Sequence, residues 1–278
     1  KMRGPPRDAF VADAAKKGQR GRSFGVLRAM DTAGALLGSV LAVLFFGFLG
    51  YVGIFLLAAV PSFFSVLIIH RLIKEKRGRD VFKGISFRNL NRNLRVFLLA
   101  SILIALATYS YSFMILFAGG FGWNEFEAPL LYVLFNLIYA GSAYPFGLAS
   151  DKWGRKRILL GAVGLLVLTS VSAHLATDMW SVLPMLVLFG LFKVALDPVQ
   201  TSFVADLVEP ERRGAIIGAF QTAIGLAALP GGVIIGYLSD TFSLLVAFEF
   251  SIMIAVLSMV LLLLVRPEAE GLRPANHG

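Results

Sequence analysis

Apolar runs of about twenty residues recur along this whole chain, each long enough for a helix to cross roughly 30 Å of hydrocarbon. They fall at 23–47, 52–72, 96–119, 126–149, 157–177, 180–206, 212–238 and 242–265. A segment in lipid must satisfy its own backbone groups, so runs of this length are confined to helices. The fold class that follows is an all-α polytopic membrane protein. Composition agrees: 57% of residues are hydrophobic and 15% charged, against about 25% charged in a soluble domain.

The same composition removes several kinds of chemistry. No cysteine is present, which excludes disulfides, iron–sulfur clusters and thiolate metal sites. His70, His174 and His277 are scattered and no HExxH occurs, so no metal or other cofactor is expected. Walker and GxSxG patterns are also missing, and no clustered catalytic set stands out, so the chain does not read as an enzyme. The net charge of +9 reflects topology rather than nucleic-acid binding. Lys and Arg concentrate in alternate connections, with seven in 1–22, nine in 71–95 and four in 152–157. The intervening loops near 48–51, 120–125, 178–179 and 239–241 carry none and hold Glu125, Asp178 and Asp240. By the positive-inside rule the basic loops and the C-terminus lie in the cytoplasm, in an inner cell membrane. Trp123 and Trp180 then fall at the outer interface and Trp153 at the inner one.

An internal repeat organises the runs. Phe10-Val11-Ala12-Asp13 returns 193 positions later as Phe203-Val204-Ala205-Asp206. The same offset pairs Pro5 with Pro198, Arg20-Gly21 with Arg213-Gly214, Gly25 with Gly218 and Gly38 with Gly231. A gapless repeat spanning six helices indicates two related halves of six, of which the first lacks its opening helices here. The chain then divides into the remainder of a first half (1–72), a cytoplasmic helical linker (73–95), a six-helix second half (96–265) and a polar, disordered tail (266–278). This reading makes the sequence a fragment of a twelve-helix protein.

Charges inside the apolar runs are the candidate site. An ionisable group near the bilayer centre costs about 2.5–3.5 kcal/mol to insert, so it faces a cavity or a partner. Arg28 and Asp31 share one helix face at i,i+3, and Lys193 and Asp197 do so at i,i+4. Tyr109, Asn136 and Gln221, the repeat mate of Arg28, add polar groups near the centres of their helices. Asp31 or Asp197 is the expected protonation site, whereas Glu249, on a peripheral helix, reads as structural. Gly34-xxx-Gly38 allows close helix contact, and Leu229-Pro230-Gly231-Gly232 predicts a kink.

The sharpest motif runs from Gly147 to Arg157, a G-x-L-x-D-x-x-G-R-K pattern carried by Gly147, Asp151, Gly154, Arg155 and Lys156. It joins two membrane runs by a turn whose bends call for glycine. The pattern resembles the signature between the second and third helices of each half of the major facilitator superfamily, with Ser150 in an unconstrained slot. Asp206-x-x-x-Pro210-x-x-Arg213-Gly214 is similar to that family's loop between the fourth and fifth helices, and Asp13 with Arg20-Gly21 is its first copy, Lys17 replacing the proline. The resemblance numbers the eight runs five to twelve.

What the resemblance implies is a two-half bundle moving a small-molecule substrate across the lipid bilayer by alternating access, as a monomer, with protons as the coupling ion. The motif would latch the cytoplasmic side, with Arg155 pairing Asp206 and Asp151 capping the helix start near Gly21. Asp13 would pair with the corresponding motif of the first half, which this chain lacks. The drug-antiporter signature G-x-x-x-G-P-x-x-G-G is met at Gly34 and Gly38, but Ser39, Ala42 and Val43 depart from it. Proton-coupled efflux is the expected activity. Symport of a sugar or organic anion, favoured by Arg28 and Lys193, is the alternative, and a non-transporting sensor or scaffold is the alternative of a different class.

Overall fold

A computed structural model describes residues 4–16, 18–72, 91–123 and 127–265. Nine helices occur among them: α1 (Gly4–Ala14), α2 (Arg20–Leu72), α3 (Arg92–Ala107), α4 (Tyr111–Gly119), α5 (Ala128–Trp153), α6 (Arg155–His174), α7 (Leu183–Leu207), α8 (Pro210–Thr241) and α9 (Leu244–Leu264). Six spans among the described residues are long and apolar enough to cross a membrane, and Val52–Ile68 is a shorter apolar helix. The linker residues 73–90 and the tail 266–278 lie outside the described residues.

Three boundaries differ from the sequence reading. The loop expected at 48–51 is a single kink inside α2, where Gly50 adopts φ 59°; a glycine accepts that conformation without steric penalty. The single run 96–119 is broken into α3 and α4. Ser110 caps α4 by accepting from the Ser112 N–H, and the Thr108 hydroxyl donates back to the Ile104 carbonyl, so the polar stretch satisfies its backbone locally. The backbone also comes close here, for a Cβ on Gly231 would lie 2.8 Å from the Leu106 carbonyl oxygen. Finally, α8 stays helical through Pro230, as membrane helices allow when neighbours cover the freed carbonyl.

The second half holds the core. Phe97 of α3 meets Phe203 of α7 edge-on at 4.7 Å and stacks on Phe220 of α8 at 5.6 Å. A second aromatic group joins Tyr109 to Phe189 and Phe248, at 5.4 and 4.9 Å. Such contacts are each worth about 0.5–1.5 kcal/mol beyond area burial. On the acidic-loop side the Trp123 indole donates to the Met179 carbonyl at 2.9 Å and meets Trp180 edge-on. Beside it, Asp178 accepts from the backbone N–H groups of Ser181 and Trp180, which holds its carboxyl below the usual aspartate range.

Candidate functional site

Helix α2 belongs to the first half and α5 to the second, and the two run antiparallel with their basic ends together. Gly21 and Gly25 face Gly147 and Ala143, one turn apart on each helix. A Cβ on Gly21 would sit 2.6 Å from the Gly147 carbonyl oxygen, and one on Gly147 would sit 2.9 Å from the Gly21 carbonyl carbon. Small residues therefore let the two backbones touch. Gly147, expected at a bend of the turn, serves close approach inside α5, and the turn itself needs only Gly154, at φ 93°. A Cβ on Gly34 or Gly38 would have no other atom within 4 Å among the described residues.

The touching backbones place charged groups in reach of each other. Asp151, at the end of α5, accepts from the Gly21 N–H at 2.9 Å and the Arg22 N–H at 2.7 Å. These are orphan donors of the first turn of α2, where a carboxylate also meets the positive end of the helix dipole. Arg155 is only 8% exposed and has three partners: Asp151 at 2.6 Å, Ser150 Oγ at 2.6 Å and Asp206 Oδ2 at 3.0 Å. Ser150, read from the motif as an unconstrained position, is buried and donates in turn to the Gly147 carbonyl. Lys156 donates to the Leu263 and Val265 carbonyls and so caps the end of α9.

Around this crossing the repeat closes on itself. Arg20 Nε donates to the Ala12 carbonyl of its own half, and its Nη1 reaches Asp206 of the other half at 2.6 Å. Its mate Arg213 donates through Nε to Ala205, the mate of Ala12, and through Nη1 to Asp13, the mate of Asp206. Each arginine thus bonds its own half's carbonyl and the opposite half's acid. Asp13 accepts from Arg213 here, as its mate Asp206 accepts from Arg20; the first-half motif expected to pair with Asp13 lies outside this chain, and Asp206 shows that one such aspartate can hold both partners, Arg20 and the motif's Arg155.

Deeper along the same helices lies a second cluster. Asp31 is 43% exposed and accepts from Arg7 Nη1 at 2.9 and 3.0 Å; its i,i+3 neighbour Arg28 is farther, at 3.7 Å. Arg28 bonds Asp8 at 3.1 Å instead, and Gln221 donates to the same oxygen, Asp8 Oδ2, at 2.8 Å. In the second half Lys193 pairs with Asp197 at 3.1 Å, and the Tyr139 hydroxyl donates to Asp197 at 3.2 Å. Pairing offsets the insertion cost of each charge, leaving three basic and three acidic groups in balance.

Not every candidate joins it. Tyr109 is buried among α3, α6, α7 and α9 residues, its hydroxyl 3.3 Å from Ser170 Oγ. Asn136 turns its amide back to the Tyr132 carbonyl of its own helix. Glu249 is exposed and lies 3.3 Å from His174 Nε2. Two members were missed entirely, Arg7 and Asp8. The repeat held the signal, since their mates Gln200 and Thr201 lie inside the apolar run of α7 and are both buried.

A helical membrane bundle of two repeat-related halves, joined at one end and lined by paired charges, is the architecture of a transmembrane transporter. The family description Major Facilitator Superfamily matches residues 2–115 and again 97–278. The chain is 35% identical over 277 residues to an uncharacterized MFS-type transporter of Methanocaldococcus jannaschii, covering 95% of itself and 68% of that protein. It is 24% identical over 251 residues to the multidrug resistance protein MdtH of Photorhabdus laumondii, covering 85% of itself and 60% of that protein. A hexuronate transporter of Bacillus subtilis is 29% identical over 135 residues, 49% of this chain and 32% of the relative. The chain belongs to the major facilitator superfamily.

Proposed function

We propose that the chain carries most of a proton-coupled exporter of small lipophilic compounds, working by alternating access. The carrying observation is the separation of two polar layers along the same helices. The outer layer at the basic end, Asp151 with Gly21, Arg155 and Arg20 with Asp206, and Arg213 with Asp13, joins the halves as a cytoplasmic gate. The inner layer lies about 17 Å along α2 at 1.5 Å per residue, as Asp31 is placed, and holds the carboxylates Asp31 and Asp197. Each already holds a basic partner, so a proton and a cationic or polar substrate compete for the same acids. Competition of this kind gives exchange. The direction is supported by MdtH, a multidrug resistance protein whose similarity extends over 85% of this chain.

The reading is tested with the full-length protein in everted vesicles that hold a proton gradient reported by a pH-sensitive dye. Addition of a lipophilic cation should restore dye fluorescence, and Asp31→Asn should abolish proton-driven accumulation while leaving exchange. Recovery upon adding a sugar acid and none with lipophilic cations would overturn efflux. It would favour symport of an organic anion on Arg28 and Lys193, in line with the similarity to a hexuronate transporter.

A further inference from the structure

Asp8 stands apart from the other acids among the described residues. It is the only carboxylate among the described residues with no exposed surface, and three side chains converge on it. Arg7 donates through Nε and Nη2 to Oδ1, each at 3.4 Å. Arg28 on α2 and Gln221 on α8 donate to Oδ2, at 3.1 and 2.8 Å. Arg28 and Gln221 are mates, 193 positions apart in the repeat. One oxygen therefore lies where the two halves present the same position of their sequences, and it binds both at once. The other deep acids make their hydrogen bonds and ion pairs within one half, Asp31 with Arg7 and Arg28 in the first and Asp197 with Lys193 and Tyr139 in the second, although the charge of Asp197 also attracts Arg28.

We propose that Asp8 is the coupling switch of this transporter, a carboxylate whose negative charge holds Gln221, and with it the second half, against the first. Ionised, Oδ2 accepts two hydrogen bonds, and charge on the acceptor roughly doubles their strength. Protonated, the carboxyl keeps acceptor capacity but loses the charge that roughly doubles the strength of both bonds, so its hold on Arg28 and Gln221 weakens together. Arg28 then keeps Asp31 at 3.7 Å within the first half and the attraction of Asp197 across the seam. No such attraction holds neutral Gln221. Gain of a proton thus weakens the bond that Gln221 makes across the seam.

The surroundings allow this specificity. The charged groups around Asp8 are Arg7 on its own helix and Arg28 on α2, which Asp31 of α2 and Asp197 of α7 also attract, Asp197 being paired with Lys193. Helix α8 offers neutral Gln221 at this level and Arg213 nearer the basic end. Arg7 and Arg28 each touch both Asp8 and Asp31. A substrate or proton at the exposed Asp31 therefore changes how firmly the two arginines hold Asp8, and the cavity reports to the seam.

This inference rests on reading the basic end as a gate, and it can be tested without any transported compound. Gln19→Cys and Lys152→Cys, both exposed and on opposite halves, accept spin labels once every cysteine outside this cysteine-free stretch has been replaced. In the full-length protein reconstituted in liposomes, the label distance should be short at neutral pH and gain a longer population on acidification. Asp8→Asn should show the longer population at every pH, with the pH response lost, and Asp8→Glu should restore the response. Gln221→Leu, which leaves the charges in place, should show the longer population already at neutral pH. A wild-type distance indifferent to pH, an Asp8→Asn protein that responds as wild type does, or a Gln221→Leu protein that stays closed would each overturn the switch. Failure of the vesicle assay with a distance that still responds through Asp8 would sink efflux and leave the switch standing. Antiport with an unaltered response in Asp8→Asn would do the reverse.

Discussion

Substituting Gly147 by alanine tests whether backbone contact between α2 and α5 keeps the basic end closed. The added Cβ would stand 2.9 Å from the Gly21 carbonyl carbon and 3.2 Å from the Arg22 Cα. Ordinary contact begins near 3.4 Å, and every close atom is backbone, so no side chain can swing aside. The helices must separate by several tenths of an ångström. That displacement acts directly on the bonds from Gly21 N and Arg22 N to Asp151, at 2.9 and 2.7 Å. Overpacking of this kind costs about 1–3 kcal/mol. The strain is confined to the closed form, because separated halves no longer share the contact. At 1.4 kcal/mol per decade, the ratio of closed to open protein should fall about 5- to 150-fold. The Gln19–Lys152 label distance reads that ratio. Gly161→Ala in the second half is the matched control, since its Cβ would meet no atom within 4 Å. A Gly147→Ala protein with the wild-type distance distribution would refute the claim that glycine contact seals this end.

Other expectations follow from single contacts. Lys156→Gln removes the cation that caps the Leu263 and Val265 carbonyls; hydrogen exchange in the last turn of α9 should speed up about 5- to 10-fold, as loss of roughly 1 kcal/mol implies. Tyr109→Phe deletes a hydroxyl 3.3 Å from Ser170 inside the second-half core. It should lower stability by about 0.5–1.5 kcal/mol, seen as a few degrees in thermal melting, with substrate KM unchanged. Asp178 has its carboxyl held low by backbone donors from Ser181 and Trp180. The turn it forms is then supported above the usual aspartate range and loses that support as pH falls through the lowered value, a change that Trp180 fluorescence should follow.

Much of this architecture is written in the order of residues. Helix positions follow from apolar run length, and orientation from where Lys and Arg accumulate. The contact of Arg155 with Asp206 and that of Asp151 with the start of α2 concern groups that the motif names. What escaped is tertiary. Glycines at 34 and 38 share the spacing of those at 21 and 25, and spacing alone cannot tell which pair meets a partner helix. Arg7 and Asp8 are adjacent in sequence, and adjacent residues on a helix do not face each other, so no shared face singles them out. Only their mates, buried in α7, place them in the membrane. The break at Thr108–Ser110 was hidden because its hydroxyls close the backbone bonds that an apolar stretch would have left open.

The crossed pairs Arg20–Asp206 and Arg213–Asp13 also bear on how the molecule assembles. Each half brings one acid and one base, in the same order along the chain. Face to face through a two-fold rotation, opposite charges coincide. Related by translation instead, aspartate would meet aspartate and arginine would meet arginine, and like charges so placed are a penalty against the wrong partner arrangement. During insertion into the membrane, two bundles of similar hydrophobicity could dock in many ways, since lipid offers little reason to prefer one. A duplicated string with both signs accepts a single handed arrangement, so correct docking of the halves is encoded by the duplication itself.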